Sequence, residues 1–309
     1  MISDSVNDSR RIEQESEASR IAIMDDETFR KHITGCEEKL AGLEKQISGL
    51  SERRDRAVLL GEKAKEDAVF VKLSFFQLAH DSLAASLGDI KRTWCKLGDR
   101  EVGSVFCYPE LVLGVSHADE SIGFTQDWGL AVVDPAKVEP SSSLNRIILD
   151  PGPASILAKE GGLSEAREGE DFEMLPLIGT MTIAEISENP GLLVFMRGCI
   201  SGSTVGRVNG IETYCRKIDE ASEESKWTKE LAVLGYDADR PFSKKGDSGS
   251  GVFSKDGKLV GMLHAGNPTG RGGRHDVSYV IPWPVLADQM IAFGLLDPQP
   301  ILVGRIMSE

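Results

Sequence analysis

The chain has 309 residues, of which 40% are hydrophobic, so it is long enough for one large or two medium domains with a buried core. Its formal net charge is −14, and a surface this acidic repels phosphate backbones, which argues against nucleic acid as a partner. No apolar run approaches the ~20 residues that cross a bilayer, and the polar residues 1–16 lack the apolar stretch of a secretory signal. The sequence therefore predicts an intracellular, most simply cytoplasmic, protein with no membrane partner.

Five cysteines are spread along the sequence without a C-x-x-C pair: Cys36, Cys95, Cys107, Cys199 and Cys215. Their odd number in an intracellular context predicts reduced thiols, and their spacing does not suggest a zinc site. None lies in a turn that carries a motif, which argues against a cysteine nucleophile. We therefore expect neither a metal nor a cofactor.

The first 97 residues have the pattern of helices after a polar start. Residues 1–20, rich in Ser, Glu, Asp and Arg, are expected to be disordered. Two apolar stripes follow with alternating spacings of four and three, and the pattern breaks between them at Gly61. They are Cys36, Leu40, Leu43, Ile47 and Leu50, and then Val69, Leu73, Phe76, His80, Leu83, Leu87, Ile90 and Trp94. Residues 21–97 are therefore predicted to form a coiled-coil-like helical hairpin, which also offers a surface for self-association.

After Gly98, short apolar and β-branched runs alternate with glycine turns. Many short strands separated by such turns are typical of a sandwich or a barrel. The predicted strands are residues 102–107, 111–115, 128–133, 177–183, 192–197, 204–209, 230–235, 250–254, 258–264 and 276–282, and residues 284–293 are predicted to form a closing helix. The fold class is thus mainly β with an α-helical amino-terminal hairpin.

The strongest local signal is the run 245–253, which reads K-G-D-S-G-S-G-V-F. Glycines on both sides of Ser248 allow a tight turn that holds the serine outward, and the backbone N–H groups of Gly246 and Ser248 can converge on a developing oxyanion. The run resembles the G-D-S-G-G/S nucleophile turn of the chymotrypsin-like serine peptidases. The apolar strand, the turn at Asp256-Gly257 and the second strand that follow extend the match, and the resemblance implies that Ser248 is a nucleophile.

Two upstream segments extend the resemblance, which covers about residues 100–290. Residues 197–208 resemble the strand–turn–strand that opens the second barrel in bacterial and fungal members. Residues 126–132 resemble the D-I/W-A-L segment that supplies the triad aspartate, which implies that Asp127 orients an imidazole and stabilises its charged form. From the residues alone, an aspartate before a strand is equally a common turn or capping residue. The resemblance implies a double β-barrel, with an incomplete first barrel in 98–175 and the second in 176–309.

A catalytic base for Ser248 is hard to find. The histidines are His32, His80, His117, His264 and His275, and none has the alanine-before-histidine setting of the family, in which the order along the chain is His, Asp, Ser. His117 precedes Asp127 by only ten residues (127 − 117), inside the aspartate loop, and is retained as a substitute base. The other four follow the serine or lie in the helical segments.

More than the catalytic histidine is missing from the family pattern. Only three predicted strands precede residue 134, which is fewer than the first barrel of the family holds. The missing strands normally carry the histidine. Fungal intracellular homologues place a long helical insert between the histidine and aspartate segments, and this chain resembles such a protein beginning inside the insert. The alternatives are a truncated reading frame and a pseudo-enzyme that has lost its base.

A substrate pocket is suggested sixteen residues after Ser248, where residues 263–266 read L-H-A-G. In bacterial glutamyl endopeptidases the corresponding segment reads I-H-W-G and lines the pocket for the side chain before the scissile bond. The resemblance implies that His264 and Gly266 line such a pocket, where His264 can donate a hydrogen bond to a glutamate or glutamine. Phe242 would occupy the approximate floor and argues against basic side chains. The alternative is a strand histidine satisfied by a neighbouring carbonyl.

Two functions follow from these residues. The first is a serine endopeptidase that hydrolyses peptides through an acyl-enzyme if a base is supplied, with a peptide or protein as substrate. The second is a catalytically inactive homologue that binds peptides or proteins, with the helical hairpin as a docking surface. An esterase of another fold is disfavoured because the run around Ser248 places its first glycine one residue too early for a G-x-S-x-G elbow.

Overall fold

The computed structural model describes residues 19–115, 122–137, 145–160, 173–218, 225–237, 240–267 and 277–296. These residues divide into two compact units. The hairpin unit comprises the described residues of Arg11–Phe106 and Leu130–Lys137, and the β unit comprises those of Cys107–Gly129 and Val138–Glu309. The segment 98–175, predicted to form a partial first barrel, is therefore divided between the two units.

The described helices are α1 (Asp26–Leu59), α2 (Lys63–Thr93), α3 (Leu97–Arg100), α4 (Pro151–Lys159), α5 (Ile183–Ser187) and α6 (Trp283–Ala292). The described strands are β1 (Arg20–Ala22), β2 (Glu101–Cys107), β3 (Val112–Val115), β4 (Phe124–Gln126), β5 (Leu130–Val133), β6 (Arg146–Leu149), β7 (Glu173–Pro176), β8 (Gly179–Thr180), β9 (Leu193–Gly198), β10 (Gly202–Val208), β11 (Thr213–Ile218), β12 (Ser225–Gly235), β13 (Gly251–Ser254), β14 (Lys258–Gly266) and β15 (Val277–Pro282). Among these helices, none is both long and apolar enough to cross a membrane.

The helical hairpin predicted from the heptad spacing is confirmed. Helix α1 begins at the N-cap Asp25, whose carboxylate accepts a hydrogen bond from the Thr28 backbone N–H at 2.6 Å. Helices α1 and α2 pack along much of their length, and Leu73 and Leu87 of the predicted seam are buried. An ion pair of 2.5 Å between Lys91 and Glu37 joins the two helices on their exposed side.

The base of the hairpin is fixed by Arg100, which is completely buried. Its guanidinium donates to the carbonyls of Met24 (3.0 Å), Trp94 (2.7 Å) and Cys95 (3.2 Å) and also binds the carboxylate of Asp26. The acceptors lie at the start of α1 and just after α2, so one cation holds both ends of the hairpin together. Directly beside it, β1 pairs antiparallel with β2, and β5 extends this small sheet on the other side of β2.

The β unit is built on six antiparallel strands that return on themselves. They pair in the order β10, β9, β13, β14, β15 and β12, and the pairing of β10 with β12 closes the ring. Alternate side chains of these strands fill the interior, as the two-residue period of a strand requires. The buried cluster contains Met181, Ile186, Val194, Met196, Val208, Val233, Phe242, Val252, Val260, Leu263 and Val280.

Further strands extend this sheet beyond the ring, so the β unit as a whole is not a simple closed barrel. Strand β4 pairs parallel with β12, β3 pairs with β4, β11 pairs with β12, and β8 pairs with β14. Strand β9 is buried on both faces because α4 and β6 cover the outside of the ring there. That second cluster contains Ile147, Leu149, Ala154, Leu157, Leu193, Phe195 and Val205.

The strands predicted for a first barrel pair differently from that expectation. Strands β2 and β5 join β1 in the hairpin unit, whereas β3 and β4 extend the sheet of the β unit. The predicted strand 177–183 is extended and paired only at Gly179–Thr180, because a helix follows it. Thr182 and Glu185 form a capping box that begins this helix, α5.

Candidate active site

Ser248 lies in an exposed turn that precedes β13. Gly246 has a φ of +100° and Gly249 a φ of +88°, a backbone region that residues with a side chain rarely adopt. The Gly249 N–H donates to the carbonyl of Leu263 at 2.8 Å, which ties the turn to β14. The two glycines around the serine thus have the conformational role that the sequence predicts for them.

The turn is anchored by Asp247, whose side chain points inward and is completely buried. Its carboxylate accepts from the backbone N–H groups of Lys244 (2.7 Å), Ile200 (2.8 Å) and Ser201 (3.1 Å), and from the Ser201 hydroxyl (2.6 Å). Burial on its own would raise the pKa of Asp247, but these hydrogen bonds outweigh it and hold the pKa below its ordinary value. Asp247 therefore positions the turn, and both of its carboxylate oxygens accept hydrogen bonds from within the protein.

Gly198 leaves the space into which the Asp247 carboxylate fits. A Cβ atom at residue 198 would lie 2.4 Å from Asp247 Oδ1 and 2.5 Å from its Cγ, closer than non-bonded atoms approach. Ile200, in the same turn, packs against Gly246, where a Cβ would lie 2.8 Å from Ile200 Cγ1. The turn between β9 and β10 and the turn that carries Ser248 therefore form one closely packed structure.

Two backbone N–H groups around Ser248 have no acceptor in the described part of the chain. Neither the Gly246 N–H nor the Ser248 N–H donates to another described residue, whereas the intervening Asp247 N–H donates to the Lys244 carbonyl at 3.0 Å. Both residues are exposed. Two N–H groups without an internal acceptor are one requirement of an oxyanion site, and the assignment of these two to such a site stays a prediction.

The Ser248 hydroxyl donates to the backbone carbonyl of His264 at 3.3 Å. In the described part of the chain, no histidine ring accepts a hydrogen bond from it. His117, the predicted substitute base, lies outside the described residues, as does His275. A peptide carbonyl does not remove a proton at neutral pH, so the described contact does not activate Ser248.

The two histidines of the hairpin unit have local partners. His80 contacts Asp81 of its own helix (3.0 Å) and Glu44 of α1 (3.5 Å), and the hydrogen bond with Asp81 raises the pKa of His80. The ring of His32 faces the Cys36 sulfur at 3.8 Å. The contacts of both histidines therefore lie within the helical hairpin.

Asp127, the predicted orienting carboxylate, follows β4 directly and is exposed. The residues beside it are buried and fix the backbone on both sides. Gln126 donates from Nε2 to the Glu110 carbonyl at 3.1 Å, and the Trp128 ring packs edge-on against Phe293 with centroids 5.4 Å apart. Within the described ranges the Asp127 carboxylate makes no hydrogen bond or ion pair, and its triad role stays a prediction.

His264 is held in a buried polar network that the sequence analysis did not detect. Its Nε2 lies 2.8 Å from Glu230 Oε2, and Glu230 Oε1 accepts from the hydroxyls of Thr125 (2.6 Å) and Thr228 (2.7 Å). All four side chains are buried. Burial alone would raise the pKa of Glu230, but the contact with His264 and the two hydroxyls hold it below its ordinary value.

The other two predicted pocket residues lie in different surroundings. The Phe242 side chain is completely buried in the cluster inside the ring, and the Phe242 carbonyl accepts from the Thr204 hydroxyl at 2.7 Å. Gly266 is exposed at the end of β14, where it pairs with Ser278. Their roles in a substrate pocket remain predictions.

All five cysteines are described and form no disulfide. Within the described ranges there is no group of three or more His, Cys, Asp or Glu residues that could hold a metal ion.

No protein-family model matches this chain, and no curated protein sequence matches it. The solved structures that resemble it distantly include two proteins of different kinds. One is a glutamic acid specific serine protease that uses a histidine triad in substrate binding; the match has a TM-score of 0.35 and 12% identity and covers 65% of this chain and 75% of that one. The other is the membrane fusion protein Spr0693 from Streptococcus pneumoniae R6, with a TM-score of 0.21, 12% identity, and coverage of 78% and 87%. Both TM-scores are below 0.5, so neither likeness establishes a function for this chain.

Proposed function

We propose that this chain is a homologue of the chymotrypsin-like serine endopeptidases, with Ser248 as its nucleophile. The observation that carries the proposal is the turn around Ser248. It is anchored by a buried carboxylate, it has glycines in the left-handed region on both sides, and its Gly246 and Ser248 N–H groups have no acceptor among the residues that the structure describes. In this proposal, the ring of six antiparallel strands behind the turn is the second barrel of that fold.

In the proposed reaction, a base takes the proton from Ser248 Oγ while the oxygen attacks the carbonyl carbon of a peptide. The carbonyl oxygen becomes negatively charged and accepts hydrogen bonds from the N–H groups of Gly246 and Ser248. The amine then leaves with a proton, and water releases the acyl group from the serine. His117 is the proposed base within this chain, and Asp127 is proposed to orient it and stabilise its cation.

We further propose that His264 and Gly266 line the pocket for an acidic or amide side chain of the substrate, with Phe242 beneath them. The contact with Glu230 supports this role, because it fixes the orientation of the imidazole ring through Nε2 at 2.8 Å. The other ring nitrogen, Nδ1, is then the one proposed to bind the substrate side chain: it donates to a carboxylate when it carries a proton and accepts from an amide when it does not.

The alternative is a peptide-binding module without catalysis. The hydrogen bond of Ser248 favours this alternative, since its hydroxyl donates to the His264 backbone carbonyl. No described imidazole ring accepts a hydrogen bond from it. In that case the turn at Ser248 would bind the carbonyl of a peptide ligand without attacking it, and the outer surface of the helices would serve as a docking face.

Labelling of the full chain with a fluorophosphonate probe separates these functions, because the probe reacts only with an activated serine. We expect Ser248→Ala to abolish labelling and Ser250→Ala, in the same turn, to preserve it. Removal of a general base lowers reactivity by roughly 100-fold or more, so His117→Ala should slow labelling by that factor. If the wild-type chain is not labelled under conditions that label an active serine peptidase, the endopeptidase proposal fails and the binding module is favoured.

A further inference from the structure

Helix α2 exposes large apolar side chains on the face that points away from α1. Val71 is 69% exposed, Phe75 is 68% exposed and Leu78 is 72% exposed. In contrast, Leu73 and Leu87 of the same helix are buried against α1. Since successive residues turn by about 100° around a helix, the exposed set lies roughly opposite the buried set.

The exposed side chains belong to a second heptad pattern on α2. We call it the outer stripe, and it consists of Ala68, Val71, Phe75, Leu78, Ser82 and Ala85. Their spacings alternate between three and four, as in the seam of a coiled coil, and the stripe contains no charged residue. A helix with apolar seams on two opposite faces is suited to lie between two neighbours, and α1 supplies only one of them.

We propose that the outer stripe binds the outer stripe of a second copy of this chain, with the two α2 helices parallel. A homodimer of this kind uses the same surface on both partners, so the stripe has to be complementary to itself. In a parallel pair each stripe residue meets the same residue of the second copy, and Phe75 packs at the centre beside Val71 and Leu78. This proposal does not depend on the proposed peptidase function.

The charges beside the stripe select this occupant and this direction. Asp67 lies along one edge of the stripe, and Lys65 and Lys72 lie along the other. In a parallel coiled coil, a residue on the first edge faces the partner's residue five positions later, which lies on the opposite edge. Asp67 therefore lies next to Lys72 of the second copy. The symmetry of the dimer forms this contact twice. In an antiparallel pair, each edge would face the same edge of the second copy. Lys65 would then face Lys72 of the second copy and Asp67 would face its Asp81, so like charges would meet. Asp67 contacts Lys63 of its own helix at 3.1 Å, and both side chains are exposed, so it can also reach a partner.

Sedimentation equilibrium of the full chain tests the interface. We expect a concentration-dependent dimer for the wild type, and dimerisation at least roughly 100-fold weaker for Phe75→Glu, because two glutamates would be buried without partners. Phe70→Glu is the matched control, since Phe70 is an exposed phenylalanine of the same helix outside the outer stripe, 56% accessible. It should dimerise like the wild type. A monomeric wild type at roughly 100 μM, or equal loss in both variants, would overturn the proposal.

Two further variants test the direction and do not rely on a disruptive change. Asp67→Lys should weaken dimerisation by about two- to fivefold per contact, and combining it with Lys72→Asp should restore the affinity. Ser82→Cys should form a covalent dimer on mild oxidation beyond the level of the wild-type chain, because only a parallel pair brings residue 82 of both copies together. Cross-linking of Ser82→Cys only when it is mixed with an Ala68→Cys chain would indicate an antiparallel pair and refute the parallel dimer.

Discussion

The buried carboxylates of the β unit contrast with the exposed apolar face of α2 in the hairpin unit. In the β unit, Asp247 carries a carboxylate completely into the interior and meets four donors there, and Glu230 does the same with His264 and two threonines. In the hairpin unit, Phe75 leaves most of its ring in water. A buried charge constrains the residues that supply its partners, whereas an exposed apolar side chain places little constraint on its surroundings within the chain. The β unit is therefore expected to be rigid and intolerant of change, and the hairpin surface tolerant.

The largest expected effect that follows from this comparison is on Gly198 in the β unit. In Gly198→Ala the new methyl group would lie 2.4 Å from Asp247 Oδ1, so the carboxylate has to move away from its donors. Overpacking together with loss of charged hydrogen bonds should lower the free energy of unfolding by about 3 kcal/mol or more. Urea denaturation measures this change.

Gly179→Ala is the control for that variant, because Gly179 also lies in the β unit but a Cβ there meets no atom within 4 Å. Its free energy of unfolding should change by less than about 1 kcal/mol. Equal stability of the two variants would show that the close approach at Gly198 does not constrain the fold.

An intermediate effect is expected on acidification. The folded pKa values of Glu230 and Asp247 lie below the ordinary 4.5 and 3.8. The two carboxylates therefore contribute fully to stability when the pH is above their ordinary pKa values. This contribution is lost as the pH falls through the lower pKa values that they have in the folded protein. The loss should amount to about 1 to 3 kcal/mol for each group. Urea midpoints between neutral and acidic pH measure it, and Asp247→Asn should show a smaller pH dependence than the wild type. An unchanged dependence in that variant would contradict the role of the buried carboxylate.

The smallest expected effect is a gain in the hairpin unit. Gly42 lies inside α1, and a Cβ there would meet nothing within 4 Å. Gly42→Ala should therefore stabilise the helix by roughly 0.5 to 1 kcal/mol, because alanine loses less conformational freedom than glycine. Thermal unfolding followed by circular dichroism at the helical band measures this gain. Destabilisation would mean that the surface at Gly42 is covered, and the contrast between the two units would then be weaker.

Features that depend on neighbouring residues could be predicted from the sequence. The spacing of Leu73 and Leu87 predicted the hairpin, since seam residues recur along one helix. The glycines around Ser248 predicted the turn, because a left-handed backbone needs them locally. Two local signals were overlooked, however. Thr182 and Glu185 form a capping box, and Asp150 with the following proline marks the start of α4.

Features that depend on distant residues could not be predicted. The partners of Asp247 in the turn at Ser201 lie 46 residues earlier, and Thr125 lies 105 residues before Glu230. Only the order of the strands in the sheet brings these groups together. The position of Glu230 did carry a weak signal, since Thr228 and Glu230 alternate along β12 in step with the apolar residue Ala232 and so share one face of the strand. Polar residues on an inward face have to pair inside, but the sequence does not reveal with which group.

The pairing of β1 with β2 also bears on how the chain folds. Residues 23–100 form the connection between these two strands, so the pairing is distant along the chain. A flexible connection of that length would make the two ends meet slowly. Here the connection is two helices, each held by local backbone hydrogen bonds, and Arg100 joins the start of α1 to the end of α2. Once the helices have docked, β1 and β2 are already close enough to pair.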